Sequence, residues 1–84
     1  MDQEQVTIIL SPELCRAARG LLDWTQSDLA EAALVSRSTI RDFEGHRHEI
    51  HRATSAQLRR AFEDNAVVFV VVDGIGPGVC LKDC

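Results

Sequence analysis

The sequence lacks the features of a membrane or exported protein. No apolar run approaches the ~18 residues that a membrane-spanning helix needs, and the acidic opening MDQEQ has none of the basic residues that begin a signal peptide. The chain also contains no internal repeat and no low-complexity segment. We therefore expect a protein of the cytoplasm that has no membrane partner.

Cysteine is scarce, with three residues in 84. An odd and thinly spaced set is not the framework of a disulfide-stabilised domain, and it fits reducing surroundings. The pair Cys80 and Cys84 and the stretch His46–His51 each leave two interpretations open: a metal or redox site, or solvated thiols and imidazoles. Because no fixed array of ligands accompanies either group, we expect no metal and no cofactor.

The sequence also lacks the constellation of an enzyme, since no nucleophile, base and orienting group are grouped in it. We expect no enzymatic activity. With 45% hydrophobic and 26% charged residues, the composition is that of one ordinary globular domain. With these classes of protein excluded, we expect a binding function.

Charge is unevenly distributed along a chain whose net charge is −4. Residues 1–35 carry two arginines against six acids, and residues 61–84 carry one lysine against four acids. Residues 36–60 reverse the balance, with six arginines against three acids. Since affinity for nucleic acid follows the charges that neutralise phosphates, this local excess is typical of a phosphate-binding region. The alternative is that Arg59 and Arg60 only solvate the outer face of a later helix.

Two short amphipathic helices separated by a tight turn are predicted over residues 25–44. Thr25 and Asp28 form a capping pattern, so the first of the two should begin near Gln26, and Ser36 supplies the cap of the second. The inward residues of the pair are Leu29, Ala30, Ala33, Ile40 and Phe43. The outward residues of the second helix are Arg37, Ser38, Arg41 and Asp42. Arginines and short polar groups are what a recognition helix needs in the major groove of DNA.

Flanking helices are indicated on both sides of this pair. Ser11 followed by Pro12 is a strong helix start, and the first helix should run to Leu22. Gly45 is expected to end the recognition helix in a left-handed conformation. A loop over residues 46–52 then leads to a last helix, capped by Thr54 and ending near residue 65.

Residues 11–63 resemble the XRE helix-turn-helix family of Cro and phage-repressor proteins. The matching positions are Thr25-Gln26, Leu29-Ala30, Ala33, Val35-Ser36, Thr39-Ile40 and Phe43-Glu44. The resemblance implies a mainly α, five-helix repressor-like helix-turn-helix bundle, to which this chain adds a C-terminal β-hairpin. It implies that Gln26 binds DNA phosphate, that Arg37, Ser38 and Asp42 read bases, and that Thr39 and Arg41 lie nearer the phosphates. Arg47 and Arg52 are expected to contact the DNA backbone or the minor groove.

Two residues depart from the family pattern. Leu34 occupies the turn where the family usually has Gly, and a left-handed backbone there costs roughly 1 kcal/mol or more unless packing by Leu34 or Val35 offsets it. Asp42 is an acid on the surface expected to meet DNA. It either accepts a hydrogen bond from a cytosine amino group or pairs with Arg41 as a solvated charge.

The chain divides into three segments by pattern. Residues 1–10 form an extended segment, either a third strand or a lead-in; residues 11–65 form the helix-turn-helix domain; and residues 66–84 form a β-hairpin. Because two or three strands this apolar leave an unpaired edge, we expect the hairpin to join two chains, the alternative being that it packs on its own helices.

The resulting hypothesis is a transcriptional regulator that binds double-stranded DNA by sequence. It would act as a homodimer on a near-palindromic site, since a dimer presents two recognition helices about one DNA turn apart, roughly 34 Å. The alternative is a protein-interaction module, such as the antitoxin partner of a toxin, whose acidic surface and apolar hairpin bind another protein.

Overall fold

The computed structural model describes residues 9–82. Four α-helices are followed by two antiparallel strands. The helices are α1 (Pro12–Leu22), α2 (Gln26–Ala33), α3 (Arg37–Glu44) and α4 (Arg52–Asp64), and the strands are β1 (Val67–Val72) and β2 (Gly76–Leu81). The predicted extended segment 1–10 lies outside the described residues except for its last two, which belong to no helix or strand.

The predicted caps explain where the first three helices begin. Ser11 Oγ accepts from the backbone N–H of Leu14 at 3.0 Å, and Thr25 and Asp28 form a complete capping box. Ser36 Oγ accepts from the N–H of Thr39 at 3.2 Å. These bonds satisfy donors that a helix N-terminus otherwise leaves unpaired, so α1, α2 and α3 begin where the sequence indicated.

The prediction of five helices is wrong, because residues 9–82 contain four. Residues 46–51 form a loop that opens with a turn, and they contain no further helix. His46 adopts a left-handed φ of 61°, and the N–H groups of Arg47 and His48 both donate to the carbonyl of Asp42. After α4 the β-branched run Val67–Val72 forms a strand rather than a helix.

Two helix boundaries also differ from the prediction. Gly45 has φ −88°, so the left-handed residue that follows α3 is His46 rather than Gly45. The last helix begins at Arg52, with His51 as a cap residue that makes no side-chain bond, and Thr54 lies inside its first turn. The tertiary contacts of Ile50 and Leu58 with the core offset the missing cap at this end.

The four helices and β1 supply the buried members of the core together with Leu10, and the partly buried Val79 of β2 packs against it. The buried members of the core are Leu10, Leu14, Cys15, Ala18, Leu29, Ala33, Ile40, Phe43, Leu58, Ala61, Phe62, Val67 and Phe69. The ring of Phe62 lies at its centre, 6.1 Å from the ring of Trp24 and 6.2 Å from that of Phe69. The hairpin therefore packs on α4 through Phe69, and Trp24 packs on α4 as well as between the first two helices. No helix within the described range is long and apolar enough to cross a bilayer.

Candidate nucleic-acid interface

The start of α3 is held by a small hydroxyl cluster. Ser36 Oγ lies 2.7 Å from Thr39 Oγ1 and 3.3 Å from Ser38 Oγ, in addition to capping the helix. These contacts order the first turn of α3, where the sequence places two of the predicted base-reading residues, Arg37 and Ser38.

One side of α3 is exposed and carries most of the residues that the sequence nominated. Arg37, Ser38 and Arg41 are exposed, whereas Thr39 and Asp42 are half-buried. Arg41 Nε donates to Asp42 Oδ1 at 3.4 Å. This contact is the one expected if Asp42 is a solvated helix-face charge, and a long ion pair between an exposed arginine and its half-buried neighbour is easily broken.

Gln26, at the first position of α2, lies beside this face. A shallow depression on the surface is lined by Arg19, Trp24, Thr25, Gln26, Ser27 and Arg37. It therefore brings together Gln26 and Arg37, which the sequence nominated for phosphate and for bases respectively. The N–H groups at the start of α2 add the positive end of a helix dipole to the same region.

Glu44 anchors this region from inside the protein. Although charged, the residue is only 4% exposed, and its carboxylate accepts four bonds. Arg19 donates twice, from Nη2 to Oε1 at 2.6 Å and from Nε to Oε2 at 2.8 Å. Gln26 Nε2 donates to Oε1 at 3.0 Å, and Cys15 Sγ donates to Oε2 at 3.1 Å. One carboxylate thus joins α1, α2 and α3.

The protonation states of this cluster follow from its contacts. Burial raises the pKa of Glu44, but the hydrogen bonds from Arg19, Gln26 and Cys15 and the charge of Arg19 outweigh it and hold the pKa below its ordinary 4.5. The hydrogen bond to Glu44 raises the pKa of Arg19. Burial, followed by the hydrogen bond to Glu44 and its charge, raises the pKa of the Cys15 thiol. Glu44 is therefore ionised at neutral pH, and Cys15 stays a protonated donor.

The pairing of Arg19 with Glu44 was not predicted from the sequence. A signal was present, because Glu44 follows Ile40 by four residues and so lies on the inward face of α3, where a lone carboxylate needs a partner. Arg19 follows the buried Cys15 by the same spacing on α1. The spacing alone does not determine which arginine pairs with Glu44. Arg16 also reaches the end of α3, where it donates to the backbone carbonyl of Glu44 at 2.6 Å.

The remaining nominated arginines are neighbours in sequence of residues that line a second depression, although neither arginine lines it. Arg47 and Arg52 are both exposed, one in the loop after α3 and the other at the first position of α4. The depression between these elements is lined by Thr39, Asp42, His48, Glu49, Ile50, His51 and Thr54. Within residues 9–82 no three His, Cys, Asp or Glu side chains are grouped to hold a metal ion. His46 instead contacts Glu13 Oε2 at 3.0 Å.

The turn between α2 and α3 has a left-handed backbone at Leu34, although this residue is not a glycine. Leu34 has φ 59° and ψ 45°, and its N–H donates to the carbonyl of Ala30. Leu34 is 84% exposed, so packing of its side chain does not offset the cost of the left-handed backbone. Val35 does pack against the core, and its N–H also bonds to Ala30. Val35 is therefore the residue that secures the turn.

Part of the chain matches a known protein family. Residues 16–44, which cover the end of α1, all of α2 and all of α3, match a protein-family model described as helix-turn-helix. No curated protein matches the chain.

Proposed function

Residues 16–44 form the helix-turn-helix domain of XRE-family regulators, and from this premise we propose that the protein regulates transcription by binding specific DNA sequences with α3 in the major groove. The observation that carries the proposal is the exposed start of α3, where Arg37 lines one depression together with Gln26 at the N-terminus of α2, and the exposed Ser38 follows Arg37. A helix-turn-helix binds DNA with these two helix starts.

Base recognition is assigned to Arg37, Ser38 and Asp42. The guanidinium of Arg37 suits the O6 and N7 acceptors of guanine, and the hydroxyl of Ser38 suits either a donor or an acceptor. Asp42 lies one helical turn after Ser38 and accepts from a cytosine amino group once it leaves Arg41. An exposed pair contributes at most ~1 kcal/mol, so a base contact of ordinary strength replaces it.

Phosphate binding is assigned to Gln26, Thr39, Arg41, Arg47 and Arg52. The side chain of Gln26 is already oriented, because one hydrogen of its amide is held by Glu44 and the other points away from that bond. The exposed arginines lie in the only stretch of the sequence with a positive balance, residues 36–60. Acidic segments on either side would repel phosphate, which restricts the orientation in which the protein approaches DNA.

The regulator would act as a homodimer on a near-palindromic site. A single α3 of eight residues reads few base pairs. Two copies related by a two-fold axis double the contacts and fix the half-sites about one helical turn, roughly 34 Å, apart.

The test begins with selection of binding sites from a pool of random duplexes. Fluorescence anisotropy then gives the affinity of the selected duplex at several salt concentrations. We expect log affinity to fall linearly with log salt, with a slope close to the number of phosphates contacted. Absence of salt-dependent binding at low ionic strength would refute the proposal.

The variant Arg37→Ala tests the mechanism. Loss of a guanine contact should cost about 1–3 kcal/mol on the selected duplex and should relax the preference at one position of each half-site. Arg60→Ala is the matched control, since Arg60 is exposed on α4 away from the inward residues of that helix. If Arg37→Ala discriminated among sequences as the parent does, Arg37 would not read a base.

A further inference from the structure

Two exposed histidines lie in the second depression, between α3, the loop after it and the start of α4. His48 and His51 both line this depression. His51 is the cap residue of α4, yet its side chain makes no capping bond. Within residues 9–82 neither imidazole makes a hydrogen bond or an ion pair. In this part of the chain, nothing competes with a ligand for their ring nitrogens.

The second depression opens on the side of α3 that is proposed to meet DNA. Two of the residues that line it, Thr39 and Asp42, are assigned above to a phosphate and to a base. Each of the two histidines is also next in sequence to an arginine assigned to phosphate, Arg47 or Arg52. A DNA backbone that contacts these arginines and Thr39 therefore passes the two imidazoles.

The charge of the depression depends on the imidazoles. The described residues that line it include two acids, Asp42 and Glu49, and neither lysine nor arginine. Arg41 compensates one of these acids only through the long contact of 3.4 Å to Asp42. With both imidazoles neutral, the lining carries two negative charges, which repel a phosphate. Protonation of both imidazoles cancels these charges and supplies additional N–H donors.

We propose that a DNA phosphate binds at the second depression through the protonated imidazoles of His48 and His51, so that DNA binding strengthens as the pH falls. This inference rests on the proposed function, since it requires that α3 meets DNA. It adds to that function a dependence on pH near neutrality, where histidine ordinarily changes its charge and an adjacent anion favours the protonated form. The third histidine of the chain, His46, lies outside the depression and contacts Glu13.

The size of the effect follows from proton linkage. An ion pair at a protein surface strengthens binding only a few-fold, so about threefold for each histidine gives about tenfold for the pair. A phosphate neutralised by protein also adds about 0.9 to the slope with which log affinity falls against log salt. We therefore expect the binding at low pH to be both tighter and more sensitive to salt.

Fluorescence anisotropy at about pH 6 and about pH 8, on either side of the ordinary range of histidine, measures both quantities. The test variant combines His48→Gln with His51→Gln, because glutamine keeps a hydrogen-bonding side chain and does not titrate. The matched control is His46→Asn, since asparagine tolerates the left-handed φ of 61° at this position. Each protein is titrated with the selected duplex and with a duplex of unrelated sequence, which shares only the phosphates. Circular dichroism establishes that every variant is folded at both pH values.

We expect the parent and His46→Asn to bind both duplexes about tenfold more tightly at the lower pH, and the double variant to lose most of this difference. Parent binding that is equal at the two pH values would overturn the proposal, as would a double variant that keeps the pH dependence of the parent. A dependence confined to the selected duplex would also overturn it, since the imidazoles would then contact bases. Absence of binding to either duplex refutes the proposed function and this inference with it, whereas binding that is independent of pH refutes this inference alone.

Discussion

Replacement of Glu44 by Gln tests how much the buried polar cluster stabilises the fold. The change keeps the size of the side chain and removes the charge that faces Arg19. Breaking a fully buried pair by removing one partner costs about 3–5 kcal/mol. Because the side chain of Arg19 is 18% exposed, water solvates part of the guanidinium left behind, and we expect a loss of about 2–3 kcal/mol.

The assay is chemical denaturation at neutral pH, followed by thermal unfolding. For a domain of this size each kcal/mol corresponds to roughly 4–8 °C, so the expected fall in Tm is roughly 10–20 °C. Glu63→Gln is the matched control. Glu63 pairs with Arg59 at 2.9 Å on the surface of α4, and loss of an exposed pair of this spacing costs about 0.5 kcal/mol or less.

The pH dependence provides the sharper part of this test. The pKa of Glu44 is lower in the folded protein than its ordinary 4.5, so the ionised carboxylate stabilises the fold above that pH. That contribution is lost as the pH falls through the folded pKa. The difference in unfolding free energy between the parent and Glu44→Gln should therefore shrink below about pH 4.5. A difference that is constant from pH 7 to pH 3, or a variant as stable as the parent at pH 7, would refute the reasoning.

Two further substitutions should stabilise the protein. Leu34→Gly removes the cost of the left-handed backbone, about 1–2 kcal/mol. Glycine also has more conformational freedom in the unfolded chain, which costs about 0.4–1 kcal/mol. We therefore expect the free energy of unfolding, measured by urea denaturation, to rise by about 0.5–1 kcal/mol. Leu34→Ala keeps the strain and should be neutral, so equal stability of the two variants would contradict this account. Gly20→Ala should raise the Tm by several degrees, because Gly20 is exposed within α1 and an added Cβ meets nothing within 4 Å. A fall in Tm would show that the glycine has a role in packing.

The first three helices of the fold were predictable because each begins with a local signal. Ser11, Thr25 and Ser36 accept hydrogen bonds from the first turn of the helix that follows, and such bonds depend on three or four consecutive residues. The hairpin was predictable for a similar reason, since a β-branched run followed by glycines has no helical alternative. The start of α4 was not, because His51 makes no capping bond and tertiary packing decides where the helix begins.

The candidate site was predictable only on its outer side. Arg37 and Ser38 follow a cap directly, so the sequence alone indicates that they are exposed at the start of a helix. The cluster behind them depends on residues 25 positions apart, Arg19 and Glu44, and nothing local specifies such a contact. The conformation of Leu34 was indicated by its position in the turn, whereas its exposure depends on how the two helices diverge around it.

The buried carboxylate is best understood through geometry rather than stability. Apolar residues of similar volume would stabilise three packed helices as well as an ion pair does, or better, because burial of charge carries a desolvation cost. An apolar cluster would not hold the amide of Gln26, however, nor fix the angle between the start of α2 and the end of α3. Glu44 does both, since its oxygens accept from Arg19 and Gln26 along fixed directions. Under the proposed function, the two helix starts meet one DNA backbone at defined positions, and they gain more from that orientation than from a further increment of stability.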